Sequence, residues 1–207
     1  MMYIANDLPP FRKDNRKEYI RAITDRISEL CDITEGRTLV LFTAKEDMNQ
    51  VFDILSSREN KWELYKQVEG SFQESVISQF RESKGVLLGA GIFWEGINIK
   101  GYDLSQVIVV RLPFPVPTDP VMEYKIGSSA DHLNEVLLPE MIIKLRQGTG
   151  RLIRSERDKG IISILDPRLS IIKGRKYREE VLDSLPFKTI TESLGELKPF
   201  WGGRGNL

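Results

Sequence analysis

Cysteine and histidine are nearly absent from this sequence: 207 residues contain one of each, Cys31 and His132. A lone cysteine excludes an internal disulfide, and a four-cysteine zinc or iron–sulfur site cannot be assembled from this chain. The lone histidine lies in the polar stretch Ser128-Ser129-Ala130-Asp131-His132 and reads as a surface residue, so no metal is expected to bind. No stretch approaches the roughly 20 apolar residues that span a bilayer. No charged-then-apolar leader opens the chain, and the expected location is the cytoplasm. There is no G-x-x-x-x-G-K-[ST] loop to cradle a triphosphate, no H-E-x-x-H, no G-x-S-x-G and no EF-hand loop. The glycines between Gly85 and Gly91 lack dinucleotide-fingerprint spacing, and no acidic cluster suggests a two-metal nuclease. An excess of either charge is missing too: Lys+Arg and Asp+Glu balance at 30 each. Any case for nucleic acid therefore rests on where the charges sit, not on their sum.

What is present is an alternation of short apolar runs with helical periodicity. Residues 1–17 are polar, with Pro9-Pro10 and a basic run, and read as a connector. Tyr19, Ile20, Ile23, Ile27 and Leu30 then recur at spacings of three and four, which predicts a helix. Thr38-Leu39-Val40-Leu41-Phe42-Thr43 reads as a buried strand, and residues 46–55 as a helix with Met48, Val51, Phe52 and Leu55 on one side. Further strands are expected at 62–67, 85–89, 106–110 and 161–165, and helices at 72–80, 119–127, 138–154 and 174–185. Residues 187–207, Gly-rich at the end, read as a loose tail, leaving 18–186 as the folded domain. Short apolar strands alternating with helices predict an α/β fold, a mostly parallel sheet covered on both faces. Ligands in such folds gather outside the carboxyl ends of the strands, which directs attention to the segments after Phe42, Leu88, Val110 and Leu165.

One helix carries an unusual pattern. At 3.6 residues per turn, Leu138, Met141, Ile142, Leu145, Thr149, Leu152 and Ile153 share one face of the 138–154 segment. Glu140, Lys144, Gln147, Arg151 and Arg154 share the other, with Gln147, Arg151 and Arg154 in one aligned row. A solvated polar face is the plain account of that row. Two features press against it. Gly148 and Gly150 each cost a helix about 1 kcal/mol relative to Ala, so the helix either breaks there or is closely approached by another backbone or side chain. The row also holds two arginines with almost no balancing acid, and a guanidinium suits phosphate oxygens at any working pH.

The run Gln147-Gly148-Thr149-Gly150-Arg151-Leu152-Ile153-Arg154 resembles motif VI of superfamily 2 helicases. With Asp158-x-Gly160 and Leu165-Asp166-Pro167-Arg168 after it, the run resembles the DinG branch of the XPD-like group. Phe93-Trp94-Glu95-Gly96-Ile97-Asn98-Ile99-Lys100-Gly101 is similar to that family's motif V, and Thr38–Thr43 with the polar helix start after it is similar to motif IV. Arg111-Leu112-Pro113-Phe114-x-x-Pro117-x-Asp119-Pro120 resembles the stretch following motif V, where the prolines set the chain's path. Two positions depart from the pattern: Asn98 stands where the family has an acid, and Ile92 where it commonly has a serine.

The resemblance implies a RecA-like second motor domain of a DinG/XPD-type helicase, which faces a first motor domain upstream in the same polypeptide. That first domain supplies the phosphate loop and the acid for Mg²⁺. On this side, Arg151 and Arg154 are implied as arginine fingers, a role worth on the order of 10³-fold or more in rate. Glu95, Gly96, Asn98 and Gln147 are implied to approach the ATP, and Thr43, Ala44 and Lys45 to contact single-stranded DNA; an ordinary helix cap is the alternative for those three. The isolated chain is not expected to hydrolyse ATP. Two alternatives stay open. The departures at Ile92 and Asn98 suit the helicase-like half of a Gram-positive DinG fused to a 3′–5′ exonuclease, binding nucleic acid and nucleotide without unwinding. The other is a scaffold of the same fold with no nucleotide chemistry, which the two unpaired arginines disfavour.

Overall fold

In the computed structural model, which describes residues 1–68, 70, 73–95, 104–150, 152, 160–187 and 189–202, seven parallel strands form one sheet. The strands are β1 (Met2–Ile4), β2 (Thr38–Phe42), β3 (Leu64–Lys66), β4 (Val86–Ala90), β5 (Gln106–Val109), β6 (Ile161–Ile164) and β7 (Ile190–Thr191), in the spatial order β3-β4-β2-β5-β6-β1-β7. Successive side chains on a strand point to opposite faces, and here both faces are dry. Leu39 and Leu41 of β2, Leu87 of β4, Val107 and Val109 of β5, and Ile162 and Ile164 of β6 enter one core. Their neighbours Val40, Phe42, Val86, Leu88, Ile108 and Ile161 enter the other. The central strands therefore read as unbroken apolar runs, as a sheet buried on both sides requires.

Helices α1 (Arg16–Thr34) and α2 (Lys45–Ser56) close one face through Tyr19, Ile23, Ile27, Leu30, Met48, Val51 and Leu55. Helices α3 (Gln73–Ser83), α5 (Leu138–Thr149) and α6 (Arg178–Asp183) close the other through Phe80, Met141, Leu145, Val181 and Leu182. Helix α4 (Pro120–Gly127) starts on an Asp119 carboxylate that accepts from the N–H groups of Val121 and Met122, and it buries no residue. A π-type turn, Leu133–Leu137, leads from it into α5; the Leu138 N–H donates to Leu133 O, and Pro139 has no N–H to continue the ladder.

Both chain ends depart from the sequence-based expectation. The segment read as a connector contains β1, fully buried between β6 and β7. Its ladder is complete: Met2 N–H donates to Thr189 O at 2.8 Å, Ala5 N–H to Ile164 O at 2.9 Å, and Ile162 N–H to Met1 O at 3.0 Å. Three residues are too few to display a period, and the polar run behind them masks their apolar character. Arg26 of α1 ties this strand to the helix layer, donating to the Asp7 carboxylate at 2.6 and 3.0 Å and to the Tyr3 hydroxyl. The segment read as a loose tail supplies β7 and helix α7 (Leu197–Gly202), whose Leu197 is buried in the α1 core.

The helix expected over 138–154 ends at Thr149. Gly150 caps it, its N–H donating to Arg146 O at 2.8 Å, so within the helix the polar row reaches only Gln147. The two glycines weaken the helix where Thr149 turns inward, its hydroxyl donating to Leu145 O at 2.8 Å; Arg151 and residues 153–159 lie outside the described residues.

Candidate functional site

The carboxyl ends of β4 and β2 meet the end of α5, and glycines set how closely. Strand β4 ends at Ala90, and Gly91, at φ +56, turns the chain into a 3₁₀ turn, Gly91–Trp94. Positive φ is open to glycine at no steric penalty. The turn drives Phe93 and Trp94 inward, both buried, and the Trp94 indole N–H donates to Phe42 O at the end of β2, 2.8 Å away. Gly148 of α5 lies flat against this indole. A Cβ on Gly148 would sit 2.8 Å from Trp94 Cε3 and 2.9 Å from Leu41 Cδ1, closer than side chains tolerate. The close approach that the sequence demanded of Gly148 is thus contact with the neighbouring motif's tryptophan.

This junction leaves two predicted residues on the surface. Glu95, immediately after the turn, is exposed and pairs with Lys144 of α5 at 3.8 Å. Both partners face water, so the pair is worth about 0–1 kcal/mol and serves more to mark proximity than to hold it. Gln147, one turn beyond Lys144, is exposed on the same helix. Ile92, at the family's serine position, is 56% exposed on the 3₁₀ turn. Gly96, Asn98, Arg151 and Arg154 lie outside the described residues.

A second constellation gathers where β2, β5 and β6 end. Thr43, Ala44 and Lys45 follow β2, and Ala44 is the N-cap of α2 without any side-chain cap bond. The Thr43 hydroxyl instead accepts from Arg111, Nε at 3.2 Å and Nη2 at 3.0 Å, so helix capping does not account for it. Arg111 follows β5; its guanidinium lies 4.1 Å from the centre of the Phe11 ring and 3.5 Å from the buried Asp47 carboxylate, which Arg16 also engages at 2.7 Å. After β6, Asp166 is buried and accepts from the Leu112 N–H at 3.0 Å, from the Arg168 N–H at 3.1 Å, and from the Arg168 guanidinium at 2.6 to 3.1 Å. Burial pulls the Arg168 pKa down, and the Asp166 hydrogen bonds and charge more than offset it, leaving the group above its ordinary value. Arg168 also lies over the Phe114 ring at 5.0 Å, and Tyr177, its pKa raised by burial, meets that ring edge-on. Thr43, Ala44, Arg111, Phe114, Asp166 and Arg168 line a cavity of about 680 Å³, as do Arg12 and Arg175.

The sequence reading puts Thr43 and Ala44 at this end of the sheet, takes Arg111 as part of a path-setting stretch and Arg168 as part of the DinG-like run, and gives Arg12 and Arg175 no role. The available signal was position: Arg111 and Arg168 each come just after an apolar strand. Among the described residues, no group of three or more His, Cys, Asp or Glu side chains could hold a metal ion.

Comparison with known proteins is decisive at this point. Residues 27–188 match the model of the helicase C-terminal domain. The chain belongs to that family. Relatives of the domain bear the names YoaA and DinG. It is 31% identical over 191 residues to the ATP-dependent DNA helicase YoaA of Haemophilus influenzae, covering 90% of this chain and 29% of that protein. It is 38% identical over 179 residues to the ATP-dependent DNA helicase DinG of Photobacterium profundum, covering 80% and 25%. It is 31% identical over 209 residues to the 3′–5′ exonuclease DinG of Bacillus subtilis, covering 97% and 22%. The domain thus spans less than a third of these relatives. Among solved structures, an XPD helicase superposes with a TM-score of 0.70 at 24% identity, over 92% of this chain and 35% of that one. The C-terminal domain of the DEAD-box protein Dbp5 superposes at 0.57 and 16% identity, over 98% and 96%. At such identities these two establish the fold alone, a RecA-like parallel sheet with its helices.

Proposed function

We propose that this helicase C-terminal domain is the second motor half of a DinG-type ATP-dependent DNA helicase, completing an ATP site whose phosphate loop and Mg²⁺-binding acid lie in a first motor domain upstream. The observation that carries the reading is the Trp94–Gly148 contact. It fastens the motif V turn to the motif VI helix and leaves Glu95 and Gln147 exposed at one end of the sheet. The residues present suit one side of a nucleotide only: an amide and a carboxylate on an open edge, in a chain without a glycine-rich phosphate loop. Gln147 and Glu95 orient the nucleotide, while Arg151 and Arg154, assigned from their match to motif VI, stabilise charge on the transferring phosphoryl group. Mg²⁺, which the upstream domain's acid would hold, would supply charge neutralisation at the phosphate oxygens. Opening and closing of the cleft between the two halves is the conformational step that advances a single DNA strand across Thr43, Ala44 and Lys45.

A second reading has one observation behind it. Ile92 puts an exposed apolar side chain where the family offers a hydroxyl, and several relatives bear the name 3′–5′ exonuclease DinG. In that reading the helicase half binds strand and nucleotide while an N-terminal nuclease does the chemistry. Steady-state ATP hydrolysis by the parent protein, with and without single-stranded DNA, separates the two. Strand-stimulated turnover that falls at least tenfold in Gln147→Ala supports the motor. Absence of turnover with retained nucleotide binding supports the exonuclease-fused form, and absence of both removes nucleotide chemistry altogether.

A further inference from the structure

Strand β7 is the edge of the sheet farther from the Trp94–Gly148 junction, and β1 is its one neighbour. The Thr189 carbonyl accepts from the Met2 N–H and so points towards β1. Backbone groups of successive strand residues turn to alternate sides, which leaves the N–H and C=O of Ile190 on the open edge. No backbone hydrogen bond from a turn or loop of the described residues reaches either group. The Ile190 side chain shares the sheet face of Met2, its register partner, whose core α5 and α6 cover. On that face Ile190, 39% exposed, lines a groove of about 490 Å³ with Leu182, Leu185, Phe187 and Ile171. Ile171 is 73% exposed and Ile172, next in sequence, 83%. The charges of the groove are uneven. Its cation, Arg178, is engaged within the chain: Nε donates to Leu169 O at 2.9 Å and Nη1 pairs with Glu179. Asp183 is exposed and has no cation partner among the described residues. Glu192 accepts from the Ile171 N–H at 2.5 Å and from Asn6 Nδ2 at 3.2 Å, neutral donors that leave its charge uncompensated.

We propose that the β7 edge docks an extended, basic segment of a partner protein, which joins the sheet as a further strand and seats an apolar side chain in the groove. A donor and an acceptor side by side on an open edge are matched by the backbone of another strand. Paired residues of neighbouring strands put their side chains on the same face, so the residue opposite Ile190 enters the groove over Leu182, Leu185 and Phe187. The residues two before and two after it share that face and meet Asp183 and Glu192, which favour lysine or arginine there and oppose acids. The same two carboxylates disfavour a phosphate backbone. They also disfavour a second copy of this chain, because pairing β7 with β7 would bring two acidic sets together. The site is independent of the motor reading: β2, β5, β6 and β1 separate it from β4, so docking leaves Glu95 and Gln147 uncovered.

The probe is the capped peptide Lys-Thr-Val-Thr-Lys-Thr-Val-Thr-Lys, titrated into the 207-residue chain and followed by amide NMR shifts and hydrogen exchange. Saturable shifts centred on Ile190, Thr191 and Glu192, with slowed exchange of the Ile190 N–H, are the expected result. Two control peptides, one with glutamate for lysine and one N-methylated along its backbone, should each bind about tenfold more weakly or worse. Ile190→Pro removes the outward N–H and spares the β1 ladder, as proline on an edge strand can; it should weaken the lysine peptide by about tenfold. Asp183→Lys, an exposed change, should reduce the preference for lysine over glutamate by about tenfold. Thermal melting checks both variants, and the N-methylated peptide tests strand pairing on the wild type whether or not Ile190→Pro folds. Absence of saturable shifts overturns the proposal. Equal binding of the N-methylated peptide overturns strand addition, and equal binding of the glutamate peptide overturns the basic partner. A concentration-dependent dimer in sedimentation that Ile190→Pro abolishes overturns it in favour of a second copy. None of these results touches the motor reading, which is judged on ATP hydrolysis.

Discussion

At Gly148 a single methyl group would collide with Trp94 Cε3 at 2.8 Å and Leu41 Cδ1 at 2.9 Å, both in a packed core. Overpacking of this kind costs about 1–3 kcal/mol, so Gly148→Ala should lower the urea midpoint by a corresponding amount without changing the slope of the transition. An unaltered midpoint would mean that the indole has room to yield and does not hold the two motifs in register. Trp94→Phe probes the same contact from the other side. It keeps a ring but removes the N–H that satisfies Phe42 O. A buried carbonyl left without its donor costs about 1–3 kcal/mol, and the two changes, being in contact, should be non-additive in a double-mutant cycle. Individual residues also show where sequence reasoning reached and where it stopped. The abnormality of Gly148 was legible because a glycine inside a helical period has few explanations. The arginine cavity was not, because Arg12, Arg111, Arg168 and Arg175 come from separate connections and meet only once the sheet is assembled.

Among the elements, the central strands were legible because each is an apolar run with a turn behind it, and the structure departs from those expectations by only a residue or two at their ends. The ends of the chain were not. Strand β1 has three residues and β7 has two, lengths at which neither alternation nor composition stands out from a polar neighbourhood. The inclusion of β1 has a direct consequence. Ile4 is fully buried in the sheet, so Ile4→Ala should cost about 2–5 kcal/mol by denaturant unfolding. In a connector the same change would fall within about 0.5 kcal/mol of wild type. The join between β1 and α1 also carries a pH dependence. Hydrogen bonds from Arg26 hold the Asp7 carboxyl below its usual range. A carboxyl whose folded pKa is depressed contributes stability above its unfolded value, about 3.9, and that contribution disappears as pH falls through the folded value. Asp7→Asn should therefore flatten the acid limb of a stability–pH curve measured by thermal midpoint and leave the neutral-to-alkaline limb parallel to wild type. An unchanged acid limb would show that the Arg26 pair is fully screened.

For the molecule as a whole, the sheet does two jobs at its carboxyl edge. Between β4 and α5 it presents Glu95 and Gln147, and at the ends of β2, β5 and β6 it gathers the arginines. Both lie on connections that follow parallel strands, where backbone geometry leaves a crevice in α/β sheets. In the proposed motor, the single sheet that joins these two edges is what couples nucleotide to strand. The domain spans less than a third of its relatives, so the chemistry it completes has to be read in the parent. The most direct measurement is single-strand-stimulated ATP hydrolysis by the intact parent beside its Arg154→Ala variant, with single-strand affinity measured in parallel. The account predicts that the variant loses at least tenfold in kcat while its strand affinity stays within about twofold, as expected for a group that acts on the transferring phosphoryl group. Equal turnover in the two proteins would contradict it, because the motif VI arginine would then have no part in the chemistry.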